Sequence, residues 1–269
     1  MALRKKRILP FWLTVLALAA LLPMRARALG PIDTGRPVTL TIQYACGGQA
    51  APGVDFALYR AAEVSPSMKL TLTGDFADYP VSLEDRDADG WQALAATLEG
   101  YVRRDGLTPL DSGRTDRDGT LAFPSPGKTL TPGLYLVLGG QYASGNKIYT
   151  AEPFLVLLPA ANDAGTQWHY DVTVTPKYTV RTETSPDDGV SRRVVKVWDD
   201  GDGGSSRPRS VTVDLLQNGR VYDTVTLSER NNWRHTWDDL DPNARWTVAE
   251  RPVPGYTVTV SRAGATFLV

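Results

Sequence analysis

Apolar and polar residues alternate along most of this chain, with the period of half-buried β-strands. The clearest runs in the first part are PVTLTIQYA, VDFALYRAAEV, GLYLVLGGQY and PFLVLLPA. The last third contains VVKVWDD, VTVDLLQNG, VYDTVTLSE, WRHTWDDL, WTVAERPVPGY and TVTV. Asn218-Gly219, between two of these runs, is a strong hairpin signal. We therefore expect an all-β fold of two tandem β-sandwiches.

One segment has helical spacing instead. Its apolar residues recur three and four positions apart, which places them on one face of an α-helix. These residues are Trp91, Leu94, Ala95, Leu98, Tyr101 and Val102. Asp89 is available as the N-cap and Gly106 as the terminator. The first sandwich should thus carry one inserted amphipathic helix of about four turns, with its apolar stripe against the core.

The chain begins with the features of a signal peptide. A basic start and an apolar run are followed by Ala26-Arg27-Ala28, a small-x-small site that predicts cleavage after Ala28. An uncleaved membrane anchor is the alternative, because the run is about the minimum length of a transmembrane helix. We therefore expect a secreted protein that contacts the membrane only transiently, through its signal peptide.

A polar stretch containing a proline and a glycine divides the rest of the chain. We interpret it as a linker between two domains, as the length of the mature chain suggests. The predicted units are a signal peptide at 1–28, a first domain at 36–180, a linker at 181–191 and a second domain at 192–269.

The charge balance argues against polyanionic partners. Six of the 29 Lys and Arg residues lie in the signal peptide, which leaves 23 against 30 acidic residues, or 23 − 30 = −7. Nucleic acid and anionic membrane surfaces are therefore disfavoured as partners.

The sequence contains few candidate catalytic or metal-binding residues. Cys46 is the one cysteine, so an intramolecular disulfide is excluded. Together with His169 and His235 it is too little for a His/Cys metal site, and neither histidine has a nucleophile-elbow context. We expect no enzyme and no cofactor.

Acidic turns offer a weak calcium alternative. Asp85, Asp87 and Asp89 have the spacing that opens an EF-hand loop, but the twelfth position is Ala96 instead of glutamate. Asp116 and Asp118 form a similar pair. A capping or turn role is simpler, and we expect no metal. The acidic 199–204 stretch is interpreted as a flexible loop.

The segment WHYDVTVTPK, residues 168–177, is the most informative part of the chain. Its apolar residues share one phase, and Pro176, which cannot donate to a ladder, should end the strand and leave the Lys177 amine at a sheet edge or in a groove. The segment resembles the pilin motif WxxxVxVYPK of Gram-positive sortase-assembled pili. The matched positions are Trp168, Val172, Val174, Pro176 and Lys177.

Thr175 replaces the usual tyrosine of that motif. The resemblance implies that Lys177 is the acceptor nucleophile for polymerisation by a separate sortase. The alternative is a final strand followed by a solvated lysine before the linker.

The order of motifs after Val194 resembles the Cna B-type domain, a stalk repeat of Gram-positive surface proteins with an immunoglobulin-like or prealbumin-like fold. In that family a first-strand lysine joins a last-strand asparagine as an internal isopeptide, assisted by an acid. Lys196 matches the lysine and Glu250 the acid, with Trp246 where the family often has tyrosine. Burial disfavours both charges, which suits the chemistry.

The matching asparagine is expected after Val269, so we interpret this domain as C-terminally truncated. The alternative for Lys196 is an edge lysine paired with Glu250 or Asp199. In the first domain Tyr44 stands where related pilin domains carry the lysine, and Glu152 lacks an evident partner. We expect no internal isopeptide there.

These resemblances imply a structural subunit of a cell-surface pilus, with sortase and neighbouring pilin subunits as partners. The alternative is a non-polymerised cell-wall adhesin whose first domain binds a host or cell-surface ligand. Lys177 separates the two hypotheses, because only polymerisation requires it.

Overall fold

The computed structural model describes residues 29–84, 86–185, 188–200 and 207–269. The predicted signal peptide and its cleavage site at Ala28 lie outside the described residues. In the described part of the chain, no helix is long and apolar enough to cross a membrane. The all-β expectation is confirmed, since strands dominate and two sandwiches follow each other, the first with one inserted α-helix.

The first sandwich is built from short strands in chain order. They are β1 (Thr39–Gln43), β2 (Ala45–Cys46), β3 (Gln49–Ala50), β4 (Asp55–Val64), β5 (Leu70–Leu72), β6 (Asp111–Arg114), β7 (Thr120–Phe123), β8 (Gly133–Gly139), β9 (Gln141–Ser144), β10 (Lys147–Ala151), β11 (Phe154–Leu158), β12 (Ala160–Ala161), β13 (Trp168–His169), β14 (Asp171–Val174) and β15 (Tyr178–Thr182).

Three sheets enclose the first core. A five-stranded sheet has the order β11-β8-β4-β5, with β6 on β4, and two three-stranded sheets have the orders β14-β1-β7 and β15-β10-β9. Leu40 and Ile42 of β1 pack with Phe56 and Leu58 of β4, and all four are buried. The alternation in the sequence thus places every second residue of these strands in one core.

The helix α1 (Ala88–Asp105) covers the other face of the five-stranded sheet. The Asp87 carboxylate caps it by accepting a hydrogen bond from Gly90 N at 2.8 Å, so the expectation that Asp89 is the N-cap was wrong. Asp87 has the extended backbone of an N-cap, whereas Asp89 lies inside the first turn. Gly106 ends the helix in the left-handed conformation, at φ 66°, as predicted.

The second sandwich has its own strands and core. They are β16 (Val190–Val195), β17 (Ser210–Gln217), β18 (Arg220–Ser228), β19 (Arg234–Leu240), β20 (Trp246–Glu250), β21 (Ser261–Ala263) and β22 (Thr266–Leu268). One short 3-10 turn lies at Glu229–Asn231 in this sandwich, and another lies at Gly74–Phe76 in the first sandwich. The sheets are β19-β16-β22-β21 and β18-β17-β20. Asn218 and Gly219, both with positive φ, close the predicted hairpin between β17 and β18.

The stretch predicted as a linker is partly strand. The strand β15 continues to Thr182, where Arg181 and Thr182 pair with β10, and β16 begins at Val190. Pro186 and Asp187 lie outside the described residues.

The helix also contacts the second sandwich. Leu94, Leu98 and Tyr101 share a buried cluster with Leu216 and Ala249 of the second sandwich. The contact is close at Gly100, where a Cβ would come within 2.4 Å of Val248 O. Thr97 Oγ1 accepts a hydrogen bond of 2.7 Å from Val260 N. The two sandwiches therefore share one apolar boundary.

A buried ion pair lies in this boundary. The Glu99 side chain is 3% exposed, and its Oε1 lies 2.7 Å from Arg103 Nε and 2.6 Å from Arg245 Nη2. Arg245 Nη1 also donates to Gly139 O and Ala151 O. Burial by itself would raise the pKa of Glu99, but Arg245 and Arg103 more than offset it and hold the pKa below its ordinary value.

We predict that Glu99→Gln lowers the free energy of unfolding by about 3 kcal/mol at neutral pH, because Arg245 loses its buried partner. Since the pKa of Glu99 is lower in the folded protein, its contribution is present above about pH 4 and is lost on further acidification. Denaturant titration between pH 3 and pH 7 measures both effects.

The matched control is Asp55→Asn, which breaks the exposed Asp55–Arg114 pair and should leave stability unchanged. Equal effects of the two substitutions would contradict the assignment of Glu99 to the boundary.

Candidate functional site

The motif segment is an edge of the first sandwich. The single strand predicted over this segment is divided at Tyr170 into β13 and β14. The strand β14 pairs in parallel with β1 and stands at the end of its sheet, so one of its edges is unpaired among the described strands. Tyr170 is buried and Val172 and Val174 are half-buried, whereas His169 and Thr173 are exposed, so the predicted phase is observed.

The aromatic residues of the motif hold the start of the described chain. Trp168 Nε1 donates to Gly30 O at 2.7 Å. Tyr170 Oη accepts from Asp33 N at 2.8 Å, and the Arg36 guanidinium lies 4.2 Å from the centre of the Tyr170 ring. Trp168 and Tyr170 together thus secure residues 30–36 against the strand that leads to Lys177.

Lys177 lies where the chain passes from one sheet edge to another. Pro176 before it is buried, and Tyr178 after it is half-buried and begins β15, the edge strand on β10. Lys177 O accepts a hydrogen bond of 2.9 Å from Glu152 N. The side chain itself is exposed, and no described side chain forms an ion pair or hydrogen bond with its amine. A fixed main chain therefore presents a free amine.

The alternative places a solvated lysine directly before a linker. Lys177 is exposed, as that alternative also expects, but the strand β15 follows it at once. Tyr178 is a residue that no sequence pattern identified. Its ring contacts Tyr149 and Tyr44, with centres 5.3 Å and 6.5 Å apart, and its hydroxyl accepts from Gly47 N at 3.1 Å. Tyr44 is itself buried edge-on against Phe56. This aromatic cluster anchors the residue next to Lys177.

The second sandwich brings Lys196 and Glu250 together. Lys196 follows β16 and is 9% exposed, and Glu250 ends β20 and is fully buried. Lys196 Nζ donates to Glu250 Oε1 at 3.1 Å and lies 3.0 Å from Oε2. Burial raises the pKa of Glu250, although Lys196 opposes this rise. Asp199, the other partner considered for Lys196, is exposed.

Two further features make this pair chemically unusual. Glu250 Oε2 is buried and lies in ion-pair contact with the Lys196 amine, and it accepts no hydrogen bond from any other described residue. The Lys196 amine lies 4.6 Å from the centre of the Trp198 ring, which stacks edge-on against Trp233 and Tyr256. An amine and a carboxyl in direct contact therefore share an apolar, aromatic site.

The last strand runs beside this pair. The strand β22 pairs in parallel with β16, and Val197 N donates to Val269 O at 2.7 Å. Phe267 and Val269 are buried, while Thr266 and Leu268 between and before them are half-buried. The odd-numbered residues from Phe267 to Val269 therefore face the core.

The acidic side chains in these turns accept hydrogen bonds from main-chain N–H groups. Asp87 caps α1, and Asp116 Oδ1 accepts from Asp118 N and Thr120 N at 2.9 Å and 2.8 Å, as in an Asx turn. Within residues 29–84, 86–185, 188–200 and 207–269, no group of three His, Cys, Asp or Glu side chains could hold a metal ion. Asp85 and residues 201–204 lie outside the described residues.

The chain matches two protein families. The Gram-positive pilin subunit D1, N-terminal domain, matches residues 39–179, and the Cna protein B-type domain matches residues 192–269. A collagen adhesin of Staphylococcus aureus is 41% identical over 96 residues, in an alignment that covers 33% of this chain and 8% of that protein. This chain thus spans a small part of that relative's length.

Solved structures with related sequences are more distant. A single B repeat of the collagen-binding surface protein of Staphylococcus aureus is 19% identical, with a TM-score of 0.28 over 87% of this chain and 97% of that one. The full-length major pilin SpaD of Corynebacterium diphtheriae is 16% identical, with a TM-score of 0.32 over 84% and 59%. These superpositions are too loose to carry an argument about function.

We predict that Tyr178→Ala lowers the free energy of unfolding by about 2–4 kcal/mol, because it removes a ring from the aromatic cluster. Tyr178→Phe keeps the ring contacts and loses only the hydrogen bond from Gly47, so it should cost about 1 kcal/mol. Chemical denaturation measures both values. A loss in Tyr178→Phe as large as in Tyr178→Ala would contradict an anchor made mainly by ring packing.

Proposed function

This chain belongs to the Gram-positive pilin subunits that share the D1 N-terminal domain, and we propose that a sortase joins it to neighbouring subunits through the Lys177 amine. The observation that carries the proposal is the free amine of Lys177 on a main chain anchored by buried Pro176 and by Tyr178. A mobile acyl-enzyme needs an acceptor that is both accessible and fixed in position.

Both families are structural, which confirms the expectation that the chain is not an enzyme. They are families of cell-surface proteins. Lys177 then serves as the substrate's nucleophile, and the transpeptidase is a separate protein. Neighbouring subunits and the sortase are the partners that this proposal requires. The second, Cna B-type sandwich serves as the stalk unit behind the reactive first sandwich.

We also propose that Lys196 and Glu250 are two members of an internal isopeptide site. The contact of Lys196 Nζ with both carboxylate oxygens of buried Glu250 supports this assignment, because it holds the amine beside the acid that the chemistry needs. A residue two positions beyond Val269 would continue the inward phase of Phe267 and Val269. An asparagine there is the proposed third member.

We predict that Lys177→Ala abolishes polymerisation, because it removes the amine that attacks the acyl-enzyme. Full-length protein is expressed with its sortase in Gram-positive cells, and wall extracts are boiled in detergent and blotted. Wild-type protein should give a covalent ladder, and Lys177→Ala a single band.

Lys147→Ala is the matched control, since Lys147 is another exposed lysine on β10, the strand beside β15, and should keep the ladder. A ladder that persists in Lys177→Ala would contradict the acceptor assignment. A single band in the wild type would favour the non-polymerised adhesin, a role that the collagen adhesin relative suggests.

A second prediction concerns the internal bond. A chain extended by two residues beyond Val269, the second of them asparagine, should have an intact mass lower than its sequence mass by one ammonia, because amide formation expels it. Lys196→Ala and Glu250→Ala should each restore the full mass, whereas Lys128→Ala should not. A full mass in the extended parent chain would contradict the proposed site.

A further inference from the structure

Glu152 lies directly across the ladder from Lys177. Strands β10 and β15 pair in antiparallel register with Ala151 opposite Tyr178. One residue further along, Glu152 N donates to Lys177 O at 2.9 Å, so the same register places these two residues opposite each other. Opposed residues of an antiparallel pair project from the same face, with Cβ atoms about 5 Å apart.

That face is the outer one. Tyr149 and Ala151 are buried in the first core, and Tyr178 packs on the same core. Because side chains alternate along a strand, Glu152 and Lys177 must project away from the core. Glu152 is half-buried and Lys177 is exposed. The two side chains thus emerge next to each other on the outer face.

Neither group is committed to another partner. Among the described residues, no side chain forms an ion pair or hydrogen bond with the Glu152 carboxylate, and none within ion-pair distance neutralises Lys177. An unpaired carboxylate and an unpaired ammonium on one face attract each other at this range. A rotation of the flexible lysine side chain is enough to bring them into contact.

The other charged groups near this face are bonded to other residues or lie in the first turn of α1. Arg181, further along β15, is bonded through its guanidinium to Asn243 Oδ1 and O. From α1, the neutral Gln92 Nε2 donates to Pro153 O at 3.3 Å. In the first turn of α1, Asp87 is occupied as the N-cap and Asp89 is exposed. Glu152 is therefore the carboxylate that the ladder assigns to Lys177.

We propose that Glu152 accepts the proton that Lys177 must lose before it attacks an acyl group. This inference rests on the proposed function. The Lys177 ammonium gives one proton to the Glu152 carboxylate, and the free amine attacks the carbonyl carbon of an acyl group held as a thioester on the transpeptidase. The N–C bond forms and the C–S bond breaks. The second proton goes to the departing thiolate, which leaves an amide, a thiol and protonated Glu152.

The test measures transfer of a labelled acyl-donor peptide from purified sortase to this protein as a function of pH. Glu152→Gln should slow transfer to Lys177 by roughly 10- to 100-fold near neutral pH. The defect should shrink as the pH approaches about 10.4, where a lysine amine loses its proton without help. Glu152→Asp, which keeps a carboxylate, should recover part of the rate.

Glu183→Gln is the matched control, because it removes the same charge from an exposed residue just after β15 and should leave the rate unchanged. Thermal unfolding of each variant shows whether its fold is kept. Should Glu152→Gln unfold, the comparison of Glu152→Asp with wild type across the pH range decides the question, since shortening the carboxylate must still lower the rate at neutral pH.

A Glu152→Gln protein with wild-type rate and pH profile would overturn this inference alone. A Lys177→Ala protein that still accepts the acyl group at wild-type rate would overturn the proposed function as well. A Glu152→Gln defect of equal size at every pH would also overturn the inference that Glu152 accepts the proton. A substitution that only displaces Lys177 slows transfer without a dependence on the protonation of the amine.

Discussion

A carboxylate removed from water has to be paired, and Glu99 meets this constraint with arginines from both sandwiches. Arg103 lies on the same helix, whereas Arg245 reaches across from the second sandwich and also binds carbonyls of β8 and β10. Separation of the two sandwiches would leave the charge of Glu99 partly unpaired. The helix that looks like a decoration of the first sandwich is therefore the element that joins it to the second.

Around Lys177 the main chain is fixed by contacts, whereas the lysine side chain is exposed. Pro176, Tyr178 and the hydrogen bond from Glu152 fix the backbone, and Trp168 and Tyr170 secure the strand that precedes it. The amine itself remains in solvent. Under the proposed function, the restricted backbone lowers the entropy cost of presenting the Lys177 amine, and the flexible side chain lets the amine reach into a partner's active site.

Local patterns predicted much of this molecule. Alternation identified the strands, helical spacing identified α1, and Asn218-Gly219 identified a hairpin. The prediction was wrong where two nearby residues of the same type could both serve as the helix N-cap, as with Asp87 and Asp89. The contacts of Tyr178, of Glu152 with Lys177, and of Glu99 with Arg245 join distant parts of the chain. They depend on strand register and domain packing, which no local pattern encodes.

The parallel pairing of β16 with β22 has a mechanical consequence. These are the first and last strands of the second sandwich, and they run side by side in the same direction. Tension that enters at Val190 and leaves at Val269 pulls the two strands past each other along their length. The hydrogen bonds between them then share the load at the same moment, instead of opening one after another as in a zipper, so the topology itself favours resistance to stretching.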